Sequence, residues 1–340
     1  MARWWRLPTI PVKPLPMLGL AIGGLVWAVA ITPRRQPLEG ALQATGVSFA
    51  MAGADRATPT GVLVVAVRAL SIRGPADGDT LALPFSNQTL ALTGDSELNL
   101  QASAAAPLGL ALALPAGTRV EQLQPVGDAL LLELVPPTAA AGTSAAGTAP
   151  LLRLTAPEGD GPGGALTAVL QEPGAADRRL SPPQGTITIP LAGPARLRLQ
   201  LAAPRQPVPF EPNLPVRAVA FTTTKLSLFD GDPIRQSTLR GGRLHLGRLQ
   251  PLDLRADQFL QLDPPGITVI TDLRAQPGQL ALEVVGHSRR LRTGLSYDHP
   301  TTVVQGTLLS RHLPPEQISG FYGFLAGVMG SLVLMLFKAD

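Results

Sequence analysis

No cysteine occurs among the 340 residues, which removes disulfide staples, thiolate metal sites and c-type haem attachment together. Aromatic residues make up 4% of the chain, so a folded core must be assembled from Leu and Val. Histidine is scarce: His245, His287, His299 and His312 show neither a His-x-x-x-His spacing nor a carboxylate pattern that would fix a tautomer. The sequence also lacks a Gly-x-Ser-x-Gly elbow, a Walker loop, a dinucleotide fingerprint and a Ser-x-x-Lys motif. The chain is therefore expected to be no enzyme, with no catalytic residues, no metal and no cofactor.

A strong charge of either sign is missing as well. Of 28 Lys and Arg, only Arg3, Arg6, Lys13 and Lys338 lie outside residues 34–316, and of 24 Asp and Glu only Asp340 does. The body between the ends is close to neutral, which gives no electrostatic footprint for nucleic acid. Its two halves differ, however. Residues 36–149 hold nine acidic and four basic groups, whereas 150–312 hold thirteen and eighteen. Just three lysines (Lys13, Lys225, Lys338) against abundant Ala, Pro, Gly and Arg point to a bacterial chain.

What the sequence does have is an apolar, charge-free run at each end, Pro14 to Pro33 and Gln317 to Phe337. About twenty uncharged helical residues, at roughly 1.5 Å each, cross a bilayer core of about 30 Å. Residues 1–14 read as a basic cytoplasmic N-terminus, 15–33 as a transmembrane helix or a signal peptide, 317–337 as a second transmembrane helix and 338–340 as a short cytoplasmic tail. Ala28-Val29-Ala30 suits cleavage by a signal peptidase. Trp4, Trp5 and Trp27 suit the interfacial edges of a retained span. Either alternative faces the body outward, to the periplasmic side of a bacterial inner membrane. Small residues recur at four-residue spacing, Gly19 and Gly23 in the first run and Ser319, Gly323, Gly327 and Ser331 in the second, a pattern that lets helices approach closely in lipid.

Between these ends, 35 prolines and 35 glycines disfavour long helices and punctuate many short apolar runs. Alternation such as Arg196-Leu197-Arg198-Leu199-Gln200-Leu201 puts charge on one face and Leu on the other, so sheets with one wet side are expected. The predicted fold is an all-β body of sandwich or barrel-like modules flanked by an N-terminal and a C-terminal transmembrane helix. A β domain at 40–135, a small-residue linker at 136–150 and a second β domain at 151–312 divide it; Pro157 to Gly164, Pro173 to Pro183 and Pro204 to Pro215 read as long loops between strands or a second seam. An internal echo joins Val67–Ile72, leading to Asp77-Gly78-Asp79, with Lys225–Phe229, leading to Asp230-Gly231-Asp232. Asp-Gly is a hairpin signal in its own right, so coincidence and duplicated modules both account for it. The same turns read either as bare turns or as calcium loops lacking further ligands.

The most pointed feature of the body is its arginines: Arg235, Arg240, Arg243, Arg248, Arg255, Arg289, Arg290 and Arg292. They form either a surface for an anionic ligand or partner, through guanidinium forks, or cross-strand pairs with Asp253, Asp257, Asp263 and Asp272. Function follows topology here. The expectation is a membrane-anchored scaffold or accessory subunit of a larger membrane or envelope complex, whose partners are membrane lipids and other integral membrane subunits. A lipid- or glycan-binding or transfer module is the alternative, and an exported hydrolase the second alternative.

Overall fold

The structure, a computed structural model, describes residues 21, 23–24, 28, 32–53, 60–75, 80–85, 88–103, 106–137, 149–156, 166–181, 185–226, 233–313 and 315–338. At 60, 61, 226, 311, 312, 315, 332 and 335–338 it describes the backbone alone. Both Asp-Gly-Asp turns, and all but the edges of the 136–150 stretch, lie outside the described residues.

Strands dominate. In chain order they are β1 (Gln36–Ala44), β2 (Val47–Met51), β3 (Thr60–Arg73), β4 (Leu81–Phe85), β5 (Gln88–Leu92), β6 (Glu97–Ala102), β7 (Leu108–Leu114) and β8 (Arg119–Val126). Next come β9 (Ala129–Val135), β10 (Leu151–Thr155), β11 (Leu166–Gln171), β12 (Arg178–Leu180), β13 (Thr186–Pro190), β14 (Ala195–Leu201), β15 (Val208–Pro209), β16 (Leu214–Ala220) and β17 (Thr222–Leu226). The last are β18 (Pro233–Ser237), β19 (Leu239–Leu246), β20 (Leu252–Arg255), β21 (Phe259–Leu262), β22 (Gly266–Gln276), β23 (Gln279–Ser288), β24 (Arg290–Gly294) and β25 (Thr302–Gln305). Two helices close the chain, α1 (Leu308–His312) and α2 (Pro315–Lys338).

Period-two patterning explains the strands directly. In β14, Ala195, Leu197, Leu199 and Leu201 are buried while Arg196, Arg198 and Gln200 are exposed. β1 and β7 alternate in the same way. Leucine supplies most of the core, with Phe49, Phe85, Phe210 and Phe221 filling the larger gaps. On the wet faces, cross-strand ion pairs stand where the register puts opposite charges side by side, as at Arg196 and Glu133 (2.8 Å, β14 against β9).

Among the described residues the sheets are antiparallel: 18 strands form one connected system, while β4–β5, β17–β18 and β21–β24–β25 pair separately. In one part, β3 is the hub: its first half pairs with β7, which leads to β10 and β13, and its second half pairs with β6, which leads to β11 and β12. Its other edge carries β14, β9, β8 and β2. In the other part the order is β20, β19, β1, β23, β22. β16 joins the two, since Leu214 and Pro215 pair with β22 whereas Val216, Arg217 and Ala220 pair with β2. Between Arg217 and Ala220 it bulges, with Ala218 in the left-handed region at φ 53°.

Strand pairing does not follow the division expected at 136–150. β10 to β14, beyond that stretch, join the sheet of β2 to β9, while β1 belongs with β19 and β23 near the other end of the chain. A low content of large side chains at 136–150 signals a loop and carries no information on which sheet the next strand enters. The internal echo also lands on unlike elements. Val67–Ile72 lies in the hub strand, and Lys225 lies in β17, which pairs with β18 as a two-stranded ribbon.

Among the described residues, no helix is long and apolar enough to cross a membrane. The expected span 317–337 coincides with α2. The side chains of 332 and 335–337, which complete the run, lie outside the described residues. Most of the expected span 15–33 lies outside them too; Ala21, Gly23, Gly24 and Ala28 are described, and all are helical.

The burial alternation makes a quantitative prediction. Leu199→Ala should lower unfolding free energy by about 2–5 kcal/mol in urea denaturation, because it opens a cavity in the packed face. Arg198→Ala, on the wet face of the same strand, should change it by about 0.5 kcal/mol or less.

Candidate functional site

The two ends of the body meet at one place. Pro33 forms an isolated bridge with Thr307, and the Arg34 amide donates to the Gly306 carbonyl (2.9 Å). The Gly306 amide in turn donates to the Arg289 carbonyl (2.9 Å). Gln36 is almost fully buried at 1% exposure, and its Nε2 donates to the Thr307 carbonyl (2.8 Å) across a gap of 271 positions. Its Oε1 has no partner among the described residues. Such a bond is strong because breaking it would leave a buried carbonyl and a buried amide unsatisfied.

Local chemistry fixes the pieces. Gly306 is needed as a glycine, because a β-carbon there would overlap Gln36 Cγ and lie 3.0 Å from the Arg34 carbonyl oxygen. Thr307 caps α1 in a reciprocal pair with Ser310, accepting from the Ser310 amide while Ser310 Oγ accepts from the Thr307 amide. Beneath the junction, fully buried Ser288 donates from Oγ to the carbonyls of Arg290 (2.6 Å) and Asp263 (3.1 Å). Gln36 sits opposite Ser288 in the β1–β23 register, and the Gly247 amide donates to the Pro37 carbonyl (2.8 Å). The start of β1 is thereby tied to β23, to the turn after β19 and to the segment leading into α1.

Because of this arrangement the first apolar segment ends, and α2 begins, at the same end of the body. A β-carbon at Gly23 would lie 2.8 Å from Met329 Sδ, so the first segment touches α2. At 100° per residue Met329 falls on one face with Ile318, Tyr322 and Leu325, the half-buried face of the helix. Ser319, Gly323, Gly327 and Ser331 fall on the opposite, exposed face, with open space around both glycines. Ser331 Oγ donates back to the Gly327 carbonyl (2.9 Å). Gly19 lies outside the described residues. Among the described side chains of α2, Phe324 and Leu334 are the most exposed large apolar ones, at 68% and 66%.

The eight arginines singled out from the sequence separate into three groups. Arg248, Arg289, Arg290 and Arg292 lie at the junction, where Arg292 pairs with Asp263 (3.4 Å) and Arg290 Nε is buried without a partner among the described residues. Arg240, Arg243 and Arg255 lie toward the far end of β1, since Gly241 pairs with both Gln43 and Arg255. There the Arg243 Nε hydrogen bond to Asp253 (2.6 Å), with the charge attraction between them, raises the guanidinium above its ordinary range. Arg235, on β18, stacks over Tyr297 with 4.8 Å to the ring centroid. Of the four aspartates considered as partners, Asp253 and Asp263 pair within the set, and Asp272 pairs instead with Arg274 (2.9 Å).

Elsewhere a polar cleft of about 490 Å³ lies between β2, β8 and the β17–β18 ribbon. Hydroxyl and amide side chains line it, among them Thr45, Thr222, Thr224, Gln122, Gln124 and Gln236. His245 is half-buried on β19, His287 and His299 are exposed, and the His312 side chain lies outside the described residues. Among the described residues, no three His, Asp or Glu side chains gather as a metal site would require. No protein family matches the chain, and neither does any curated protein or solved structure.

Arg34, Arg35, Gln36, Gly306 and Thr307 were not singled out from the sequence as a site. Gly306→Ala should lower stability by about 1–3 kcal/mol in chemical denaturation, since the added methyl overpacks the junction. Gly320→Ala, at a helical position with open space around it, should leave the unfolding of the body unchanged.

Proposed function

We propose that this protein is a non-enzymatic, membrane-anchored scaffold or accessory subunit of a larger membrane or envelope complex, with its β body on the periplasmic side of a bacterial inner membrane. The observation that carries this reading is the junction: residues 33–36 and 305–307 are hydrogen-bonded together, so both apolar segments leave the body side by side. A rigid body with two adjacent anchors is held at a fixed height and orientation over lipid, which is what a scaffold requires. The exposed Phe324 and Leu334 add support, because large apolar side chains facing water are costly and facing lipid are not. The transmembrane spans themselves are read from the charge-free runs in the sequence.

A second reading, a module that binds or transfers lipid or glycan, is favoured by the cleft lined with threonine and glutamine, whose hydroxyls and amides match the hydrogen-bonding needs of a sugar. No observation favours the hydrolase expectation, and it is not carried further.

Fractionation and native purification test the first reading. The full chain should stay in the membrane pellet after alkaline carbonate washing, enter solution only with detergent, and elute with other integral membrane polypeptides in fixed proportion. Recovery in the detergent-free supernatant, or as an isolated monomer from gently solubilised native membranes, would contradict it.

A further inference from the structure

The junction that ties the chain ends together also gathers positive charge. Extending the β1–β23 register by one residue sets Arg35 opposite Arg289, and Arg34 and Arg289 both hydrogen-bond Gly306 through their backbones. Neighbouring strands are about 4.8 Å apart, so these three residues crowd a small area. All three are exposed, and among the described residues no carboxylate pairs with any of them. Arg248 is exposed one residue beyond Gly247, whose amide bonds Pro37, and half-buried Arg290 begins β24 beside them. Among the described residues, acidic groups toward this end include Asp263, which pairs with Arg292, and Glu316 in the first turn of α2.

Like charges opposite one another on paired strands are destabilising. On other wet faces the chain sets carboxylates against arginines, as at Arg196 with Glu133 and Arg274 with Asp272, whereas among the described residues none is set against Arg34, Arg35 or Arg289. The crowding sits where both apolar segments leave the body, which on the membrane-anchored reading is the level of lipid headgroups. Guanidinium groups grip phosphate oxygens in pairs, and each basic group near an anionic surface strengthens attachment.

We infer that Arg34, Arg35 and Arg289, flanked by Arg248 and Arg290, form a cationic collar around the exit of the two segments that binds the headgroup phosphates of anionic membrane lipids. This rests on the membrane-anchored reading and adds a lipid preference to it. The collar holds the base of the body against an anionic bilayer and sets its tilt.

The test uses the full chain in mild detergent, titrated with phosphatidylglycerol and with phosphatidylcholine and followed by native mass spectrometry. Wild-type protein should bind phosphatidylglycerol at least tenfold more tightly than phosphatidylcholine, a preference that shrinks as salt is raised. At the attraction expected per basic residue, about fivefold, Arg34→Gln, Arg35→Gln and Arg289→Gln together should weaken phosphatidylglycerol binding on the order of a hundredfold. Arg240→Gln with Arg255→Gln, toward the far end of β1, should leave it unchanged. Equal binding of the two lipids, an unaltered triple variant, or an equal loss in the distant double variant would overturn the collar. Reconstitution into pure phosphatidylcholine vesicles separates this from the anchor: a chain that remains in those vesicles without preferring phosphatidylglycerol sinks the collar alone, whereas a chain that leaves them sinks the anchored reading and the collar with it.

Discussion

The hydrogen bonds across Pro33–Gln36 and Gly306–Thr307 are the constraint on which the rest depends. They close the body on itself by joining its first strand to its last segment, and they fix where both apolar ends depart. Three features make the closure durable: Gln36 is buried, Gly306 leaves room for it, and Thr307 caps the helix that follows. Were the junction to open, β1 would still pair with β19 and β23, but the two segments would no longer share an exit.

Most of the strand content was legible in the sequence because a one-sided sheet writes its burial as alternation. β14 and β7 follow that alternation residue by residue, with Leu or Ala inward and Arg, Gln or small residues outward, while β1 follows it apart from half-buried Gly40 and turns Gln36 inward. Strand order was not legible. Pairing of β1 with β23 spans most of the chain, and nothing at Gln36 or Ser288 marks its partner. The expected separation at 136–150 relied on composition, which reports where the backbone is loose and not which edge the next strand will meet. Pro204 to Pro215, read as a long loop or a second seam, contains β15 and the first two residues of β16, all of which pair with β22.

The site was less legible still. Eight arginines stood out as a group because they are close in sequence, yet β19 runs the length of β1 and carries Arg240 and Arg243 away from Arg248. Arg34 and Arg35, which the junction places beside Arg289, lie outside that group and in sequence look like ordinary flanks of an apolar run. The small-residue stripe of α2 was visible as a pattern, but its placement was not. It faces away from the Ile318–Tyr322–Leu325–Met329 side, against which Gly23 lies.

If both apolar segments anchor the chain from one junction, as proposed, Gly23 and Met329 are neighbours in native membranes. The chain has no native cysteine, so Gly23→Cys combined with Met329→Cys gives a clean disulfide reporter. Oxidation of native membranes should produce a crosslink within one chain, in the pellet fraction, with neither single variant showing it. Loss of the first segment from the mature chain, crosslinking solely between chains, or recovery of the protein in the soluble fraction would contradict the account.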